Sequence, residues 1–135
     1  MKSVKLGYFD FYRGLNIYEK YKVREALICD ITWVTSGIQH GNGVAFSMRD
    51  SGIPRRSYLE KLKKILARNK VVYQIEVESS GGSDGNVLQH STYPFDWCFI
   101  GAPEDNVHSP HEKVAISDIE QMLKAYKVLM NETNK

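Results

Sequence analysis

A chain of 135 residues is long enough to bury one hydrophobic core and too short for two. Hydrophobic residues at 42% and charged residues at 25% exclude a disordered or fibrous polypeptide. Eighteen Lys and Arg against sixteen Asp and Glu leave a formal charge of +2, too small an excess to make nucleic acid the expected partner. No stretch approaches the ~20 apolar residues of a membrane span, and the first residues lack the apolar run of a signal peptide. The expectation is a single domain over residues 1–135, soluble and cytoplasmic, with no membrane partner.

The chain opens on an aromatic segment to about Tyr21, in which LNIYEKYK has the makings of a short helix. VREALICDITWV follows, with a continuous apolar centre from Ala26 to Cys29 and β-branched residues beyond it, which predicts a strand buried on both faces. Its Cys29, and Cys98 in WCFI, sit in apolar surroundings that suit small, buried, reduced thiols. GIQHGNG reads as a glycine-rich loop, VAFSM as a strand, and RDSGIP as a turn that leads into a helix with Pro54 in its first turn.

That helix runs to about Asn69. Tyr58, Leu59, Leu62, Ile65 and Leu66 recur on one face, so the lysines and arginines between them form a solvated face. VVYQIEV alternates as a strand does, SSGGSDG breaks it, NVLQHS starts another helix, and FDWCFIG reads as a buried strand. In the last segment Ser117 and Glu120 have the spacing of a capping box, and Ile119, Met122, Leu123, Tyr126 and Met130 form one apolar stripe. The sequon Asn131-Glu132-Thr133 is a chance pattern without a secretion signal. Strands alternating with helices predict an α/β domain with a mixed, largely parallel central sheet flanked by helices.

In open α/β sheets functional groups gather beyond the carboxyl ends of strands. Three places qualify: Asp30 after the run ending at Cys29, the GGSDG turn after Val77, and the loop EDNVHSPHEK after the strand ending near Ile100. Each also has a purely structural explanation. A strand-end Asp can be satisfied by hydrogen bonds, Ser83 or Asp84 can cap the next helix, and His108 and His111 can be surface imidazoles. Pro110 between the two histidines disfavours a regular helix, so a shared HxxH metal site is not expected. His40 and His90 have no clustered partners and read as surface or hydrogen-bonded side chains.

Taken in order, VREALICDIT, ESSGGSDG and NVHSPHEKVAISDIE resemble the C-terminal portion of the dinuclear-metal aminopeptidases of the glutamyl and tetrahedral aminopeptidase family. RRSYLEKLKKILARNKVVYQIEV between them has the family's helix-then-strand order. The resemblance runs from about Val23 to the end and implies part of a zinc-exopeptidase-like domain. Carried over position by position, Asp30 is a ligand of one metal and His108 a ligand of the other. Gly81, Gly82, Ser83 and Asp84 line or support the site, Ser83 standing where the family usually has Thr. Ser109 and Pro110 shape the loop, and His111 is a bystander.

Family chemistry uses two divalent ions, usually zinc or cobalt, to activate a water against the N-terminal peptide bond, with a Glu as general base. The family's first His, its bridging Asp and its Glu-Glu pair lie upstream of the position matching Asp30. Around Gly7, which could follow that pair, Val4, Lys5 and Leu6 offer no carboxylate, and Asp10 and Glu19 lack a matching context. The resemblance therefore implies a metal-dependent peptide hydrolase when complete, inactive as this chain alone and paired with a complementing N-terminal portion or with copies of itself. The alternative is a non-catalytic interaction module that kept the fold and lost the active site.

Overall fold

The computed structural model describes residues 20–133. The short helix expected in LNIYEKYK falls largely outside them, as do Gly7, Asp10 and Glu19. The elements run β1 (Glu25–Trp33), β2 (Val44–Arg49), α1 (Arg56–Arg68), β3 (Tyr73–Val77), α2 (Asp84–Gln89), β4 (Asp96–Asp105), β5 (Lys113–Val114) and α3 (Ile116–Thr133). The sheet order is β1-β4-β2-β3, with β5 paired to the end of β4. β1 runs parallel to β4 and β2 parallel to β3, while β2 and β4 meet antiparallel. This is the mixed, largely parallel α/β sheet that the alternation of elements predicts.

Strand β4 is the axis of the sheet, and Trp97 to Glu104 are all buried. Its apolar run is what a strand covered on both faces requires. Pro103 is tolerated there for a geometric reason. Asp96 donates its N–H to Arg24 O at 2.8 Å and Glu104 O accepts from Val34 N at 3.1 Å, so even-numbered residues of β4 turn their polar groups toward β1. Pro103 therefore faces the other side, where the β2 pairing has already ended at Gly101.

Two cores lie on the two faces. On one, Val44, Phe46, Cys98 and Ile100 pack against Tyr58, Leu59, Leu62, Ile65 and Leu66 of α1 and against Ala125 and Leu129 of α3. The buried face of α1 is the one its spacing predicts, and each fully buried leucine contributes roughly 1.5–3 kcal/mol. On the other face Ile28, Trp97 and Phe99 pack with Leu88 of α2. Ser83 caps α2, its Oγ accepting from Gly85 N at 3.2 Å. Gly85 lies so close to the Trp97 ring that a Cβ would meet it at 2.3 Å.

Several expectations need correction. β1 is partly exposed rather than buried on both faces, and among the described residues only β4 pairs with it; Cys29 is exposed, whereas Cys98 is buried, and both are free thiols. β4 extends five residues past Ile100, and Pro54 precedes the Arg55 N-cap instead of sitting in the first turn of α1. Ser117 lies inside α3 rather than capping it: Asp118 N and Ile119 N donate to Ala115 O, so the helix starts earlier than a capping box allows. The stripe on α3 is turned away from the sheet by part of a turn. Asp118, Ala125 and Leu129 are buried, while Ile119 and Leu123 are exposed.

Asp118 explains that rotation. Its carboxylate is fully buried and accepts from Gly41 N at 2.8 Å and Gly43 N at 2.9 Å, which ties α3 to the loop ahead of β2. At Gly43, with φ +89°, a Cβ would lie 2.3 Å from Val72 O. Gln74 closes the same loop, donating to Gln39 O at 2.8 Å and Gly43 O at 2.9 Å. Asp118→Ala strips the acceptors from both amides and should cost about 2–4 kcal/mol, read as a lower urea midpoint at unchanged slope. Gly43→Ala, strained in both backbone angle and space, should cost more than about 2 kcal/mol in the same measurement.

Candidate functional site

Because β2 and β3 run opposite to β1 and β4, the carboxyl ends of β3 and β4 point in opposite directions. The three candidate places therefore do not meet beyond one end of the sheet. They meet over its α2 face, where the loops after β3 and β4 close on a cavity of about 270 Å³. Asp30, Gly81, Gly82, Ser83 and His108 all line it, together with Thr32, Asp50, Glu76, Glu78, Phe99 and Val107.

Asp30 lies within β1 and not at its end, opposite Gly101 of β4. Gly101 is needed at that point, since a Cβ there would approach Asp30 O to 2.7 Å. The Asp30 side chain bonds locally: Oδ1 accepts from Ile31 N at 2.9 Å. His108 has φ +64°, a left-handed conformation costly for a residue with a Cβ, and its N–H donates to Glu112 Oε1 at 2.8 Å. The loop is braced further by Asn106 Nδ2 donating to His111 O at 3.1 Å and by His111 N donating to Ser109 Oγ at 3.1 Å.

Ser109 and Pro110 thus belong to the loop and do not line the cavity, and His111 is exposed. Asp84 opens α2 outside the lining, near enough to Asp30 for the two charges to interact. Away from the cavity, His40 Nε2 pairs with Asp105 at 3.0 Å, its buried Nδ1 lacking a partner, and His90 Nδ1 lies 2.7 Å from Asn86 O.

Sequence reasoning missed much of the acidic wall. Asp50 was hidden in a turn motif, and its Oδ1 accepts from Gly52 N at 2.6 Å while its Oδ2 accepts from Ser83 Oγ. Glu76 is the polar position of an alternating strand, but on a strand whose inner face is this cavity; Thr32 Oγ1 donates to it. The Glu78 carboxylate fills the space over Gly81, where a Cβ would have to lie. The one signal available was the pair of acids two apart in QIEVE, which alternation places on one face of the sheet.

The cavity and its surroundings are electrostatically one-sided. Burial pushes the Glu76 carboxyl above the ordinary Glu value, against the pull of the Thr32 bond. Glu78 is raised by burial and by neighbouring Asp50, and Asp84 by burial and by Asp30. Glu104, buried next to His108, is raised by burial and by Glu112, with its Oε2 lacking a partner. Such a cavity disfavours anions and suits a cation. Yet the donors do not converge: among the described residues no group of three or more His, Cys, Asp and Glu side chains could hold a metal ion. Asp30 and His108 share a cavity, but a dinuclear centre does not fit the described residues alone.

Comparison with known proteins resolves the ancestry. The chain is 31% identical over 88 residues to a protein of Acetivibrio thermocellus that carries the provisional name of aminopeptidase, a match covering 64% of this chain and 27% of that one. An aminopeptidase from the archaeon Desulfurococcus kamchatkensis superposes with a TM-score of 0.79 over 87% of this chain at 22% identity. The Pyrococcus horikoshii TET1 peptidase, described as assembling into a tetrahedron or a large octahedral shell, superposes with a TM-score of 0.72 over 88% at 21% identity. At those identities the two structures speak for the fold. The chain spans 36% of each solved chain, and the sequence match takes in little more than a quarter of the Acetivibrio protein. The sequence model of the M42 glutamyl aminopeptidases matches residues 13–125, most of the chain, and this protein belongs to that family.

Proposed function

We propose that residues 1–135 form one domain that is the C-terminal part of an M42 catalytic domain, serving a cytoplasmic aminopeptidase that removes N-terminal residues from peptides. Asp30 and His108 are its two metal-ligand positions, for zinc or cobalt. Gly81, Gly82 and Ser83 form the wall opposite them, and Asp84, Ser109 and Pro110 support the two loops. The observation that carries this is the convergence of Asp30, the Gly81–Ser83 turn and His108 on one acidic cavity in a chain of this family.

A catalytic zinc takes about four donors, roughly three of them from protein. Two positions leave that requirement unmet, so hydrolysis needs groups from outside residues 20–133, supplied by a complementing N-terminal portion or by assembly with further copies. Assembly has a precedent in the shells of the Pyrococcus relative. The lack of a third converging donor also supports a second function, an interaction module that has lost catalysis.

The two are separated by calorimetry with zinc and cobalt together with a chromogenic aminoacyl substrate. Under the first, the isolated chain binds metal weakly, Asp30→Ala or His108→Ala removes that binding, and turnover appears only with the N-terminal portion present. Metal binding unaffected by either substitution would overturn the assignment of these residues. Turnover by the isolated chain that His108→Ala abolishes would overturn its proposed incompleteness.

The raised carboxylates in and around the cavity yield a pH dependence. Glu76, Glu78, Asp84 and Glu104 have folded-state values above their ordinary ones, so the folded chain retains protons that the unfolded chain releases. Their contribution to stability is fullest below the ordinary carboxylate range and falls as pH rises from about 4 through the raised folded values. Urea midpoints measured across that range should decline on the alkaline side. Glu76→Gln, which keeps an acceptor for Thr32, should flatten the decline; an unchanged slope would contradict the assignment to Glu76.

A further inference from the structure

The charged groups in and around the cavity fall into two sets. Glu104 sits with Glu112, His108 and Asp30, the set that contains the proposed metal positions. Glu76 sits instead with Glu78 and Asp50, toward the carboxyl ends of β2 and β3. The pairing of those strands builds this second set. Glu78 N donates to Arg49 O at 2.9 Å, which brings the residue after β3 beside Asp50, and alternation puts Glu76 on the same face as Glu78.

Two of these carboxylates are fixed in place. Asp50 is held through both oxygens, by Gly52 N at 2.6 Å and by Ser83 Oγ, and Glu76 is held through Oε1 by Thr32 Oγ1. Glu76 is only 5% exposed, yet its Oε2 has no partner; Ser47 Oγ, near enough to favour the charged form, completes no hydrogen bond with it. A buried carboxylate oxygen without a donor is costly. Among the described residues no Lys or Arg lines the cavity, and no ion pair includes Asp50, Glu76 or Glu78.

A zinc needs its donors about 2 Å from one point, and among the described residues no three such side chains converge that closely. An ammonium is less demanding, taking its acceptors at about 2.8 Å through three rotatable donors. The rest of the lining suits the chain that would carry it. Phe99 and Val107 offer apolar surface to a methylene stem, and about 270 Å³ lies below the volume of drug-sized ligand sites, room for one amino-acid side chain. We infer that Asp50, Glu76 and Glu78 hold the side-chain ammonium of a substrate's N-terminal residue, so that the peptidase proposed above favours peptides beginning with lysine. This inference deepens the proposed function and rests on it, since Asp30 and His108 mark where the scissile peptide bond lies.

The test is an NMR titration of the isotope-labelled, metal-free full chain with amino-acid amides. L-Lysinamide should shift the Glu76, Glu78 and Gly81 amides and bind at least roughly tenfold tighter than L-norleucinamide, which has the same stem and α-ammonium without the terminal charge. The α-amide of glutamic acid, which brings a carboxylate to the same carboxylates, should bind more weakly still. Glu78→Gln should cut the preference for lysinamide to less than roughly threefold. Glu76→Gln, which keeps an acceptor for Thr32, should do the same and serves if the first variant does not fold.

Equal affinity for lysinamide and norleucinamide would assign the group to the α-ammonium and overturn the lysine preference; the metal positions would still stand if Asp30→Ala and His108→Ala remove zinc binding. Displacement of lysinamide by zinc whose binding needs Glu76 or Glu78 would make these carboxylates metal ligands and overturn the inference. A lysinamide preference that persists while zinc binding ignores Asp30→Ala and His108→Ala would uphold the ammonium site and overturn the peptidase reading that places it in a substrate.

Discussion

The structure depends on the parallel ladder between β1 and β4. Nine consecutive residue pairs, from Glu25 opposite Asp96 to Trp33 opposite Glu104, fix the depth and facing of β1, and the period of two then decides which of its side chains reach the cavity. A slip of one residue would send Asp30 and Thr32 to the α1–α3 face and put Cys29 and Ile31 in their place. β4 can set this register because it is buried along eight consecutive residues and carries its one proline where no partner needs an N–H.

From that ladder the cavity follows. β4 hands the chain to the loop that turns Val107 and His108 inward, and β2, antiparallel to β4, lets β3 deliver Glu76, Glu78 and the glycine turn from the opposite direction. Two loops leaving the sheet at opposite ends thus close over one patch of its face. α3 completes the arrangement from behind, with Tyr126 on the seam and Asp118 gripping the loop before β2. What a mixed sheet supplies here is a cavity lined by carboxylates, with Glu76 and Glu78 raised toward their neutral form, next to one imidazole.

Much of this was legible in the sequence, for physical reasons that differ by element. The buried face of α1 and the Ser83 cap were readable because they depend on spacing within one element. The partial exposure of β1 was not, because an apolar run looks the same in a half-covered strand as in one covered on both faces. The rotation of α3 was hidden for a related reason: a buried Asp on the core face breaks the apolar pattern, and its partners Gly41 and Gly43 are remote in sequence. Asp30, the Gly81–Ser83 turn and the His108 loop were marked by their places after apolar strands and given roles by family resemblance, whereas Asp50, Glu76 and Glu78 needed the fold to bring them together.

Membership of the M42 family and the convergence of Asp30, the Gly81–Ser83 turn and His108 on one acidic cavity are the two facts on which the proposed function rests. The most direct test of a catalytic domain left incomplete within residues 20–133 is a crystal structure of the chain grown with zinc, with the ions located by anomalous scattering. The account predicts zinc held by no more than Asp30 and His108 from any one chain, its other donors coming from solvent or another molecule. A zinc fully enclosed by three or more side chains from residues 20–133 of a single chain would contradict it.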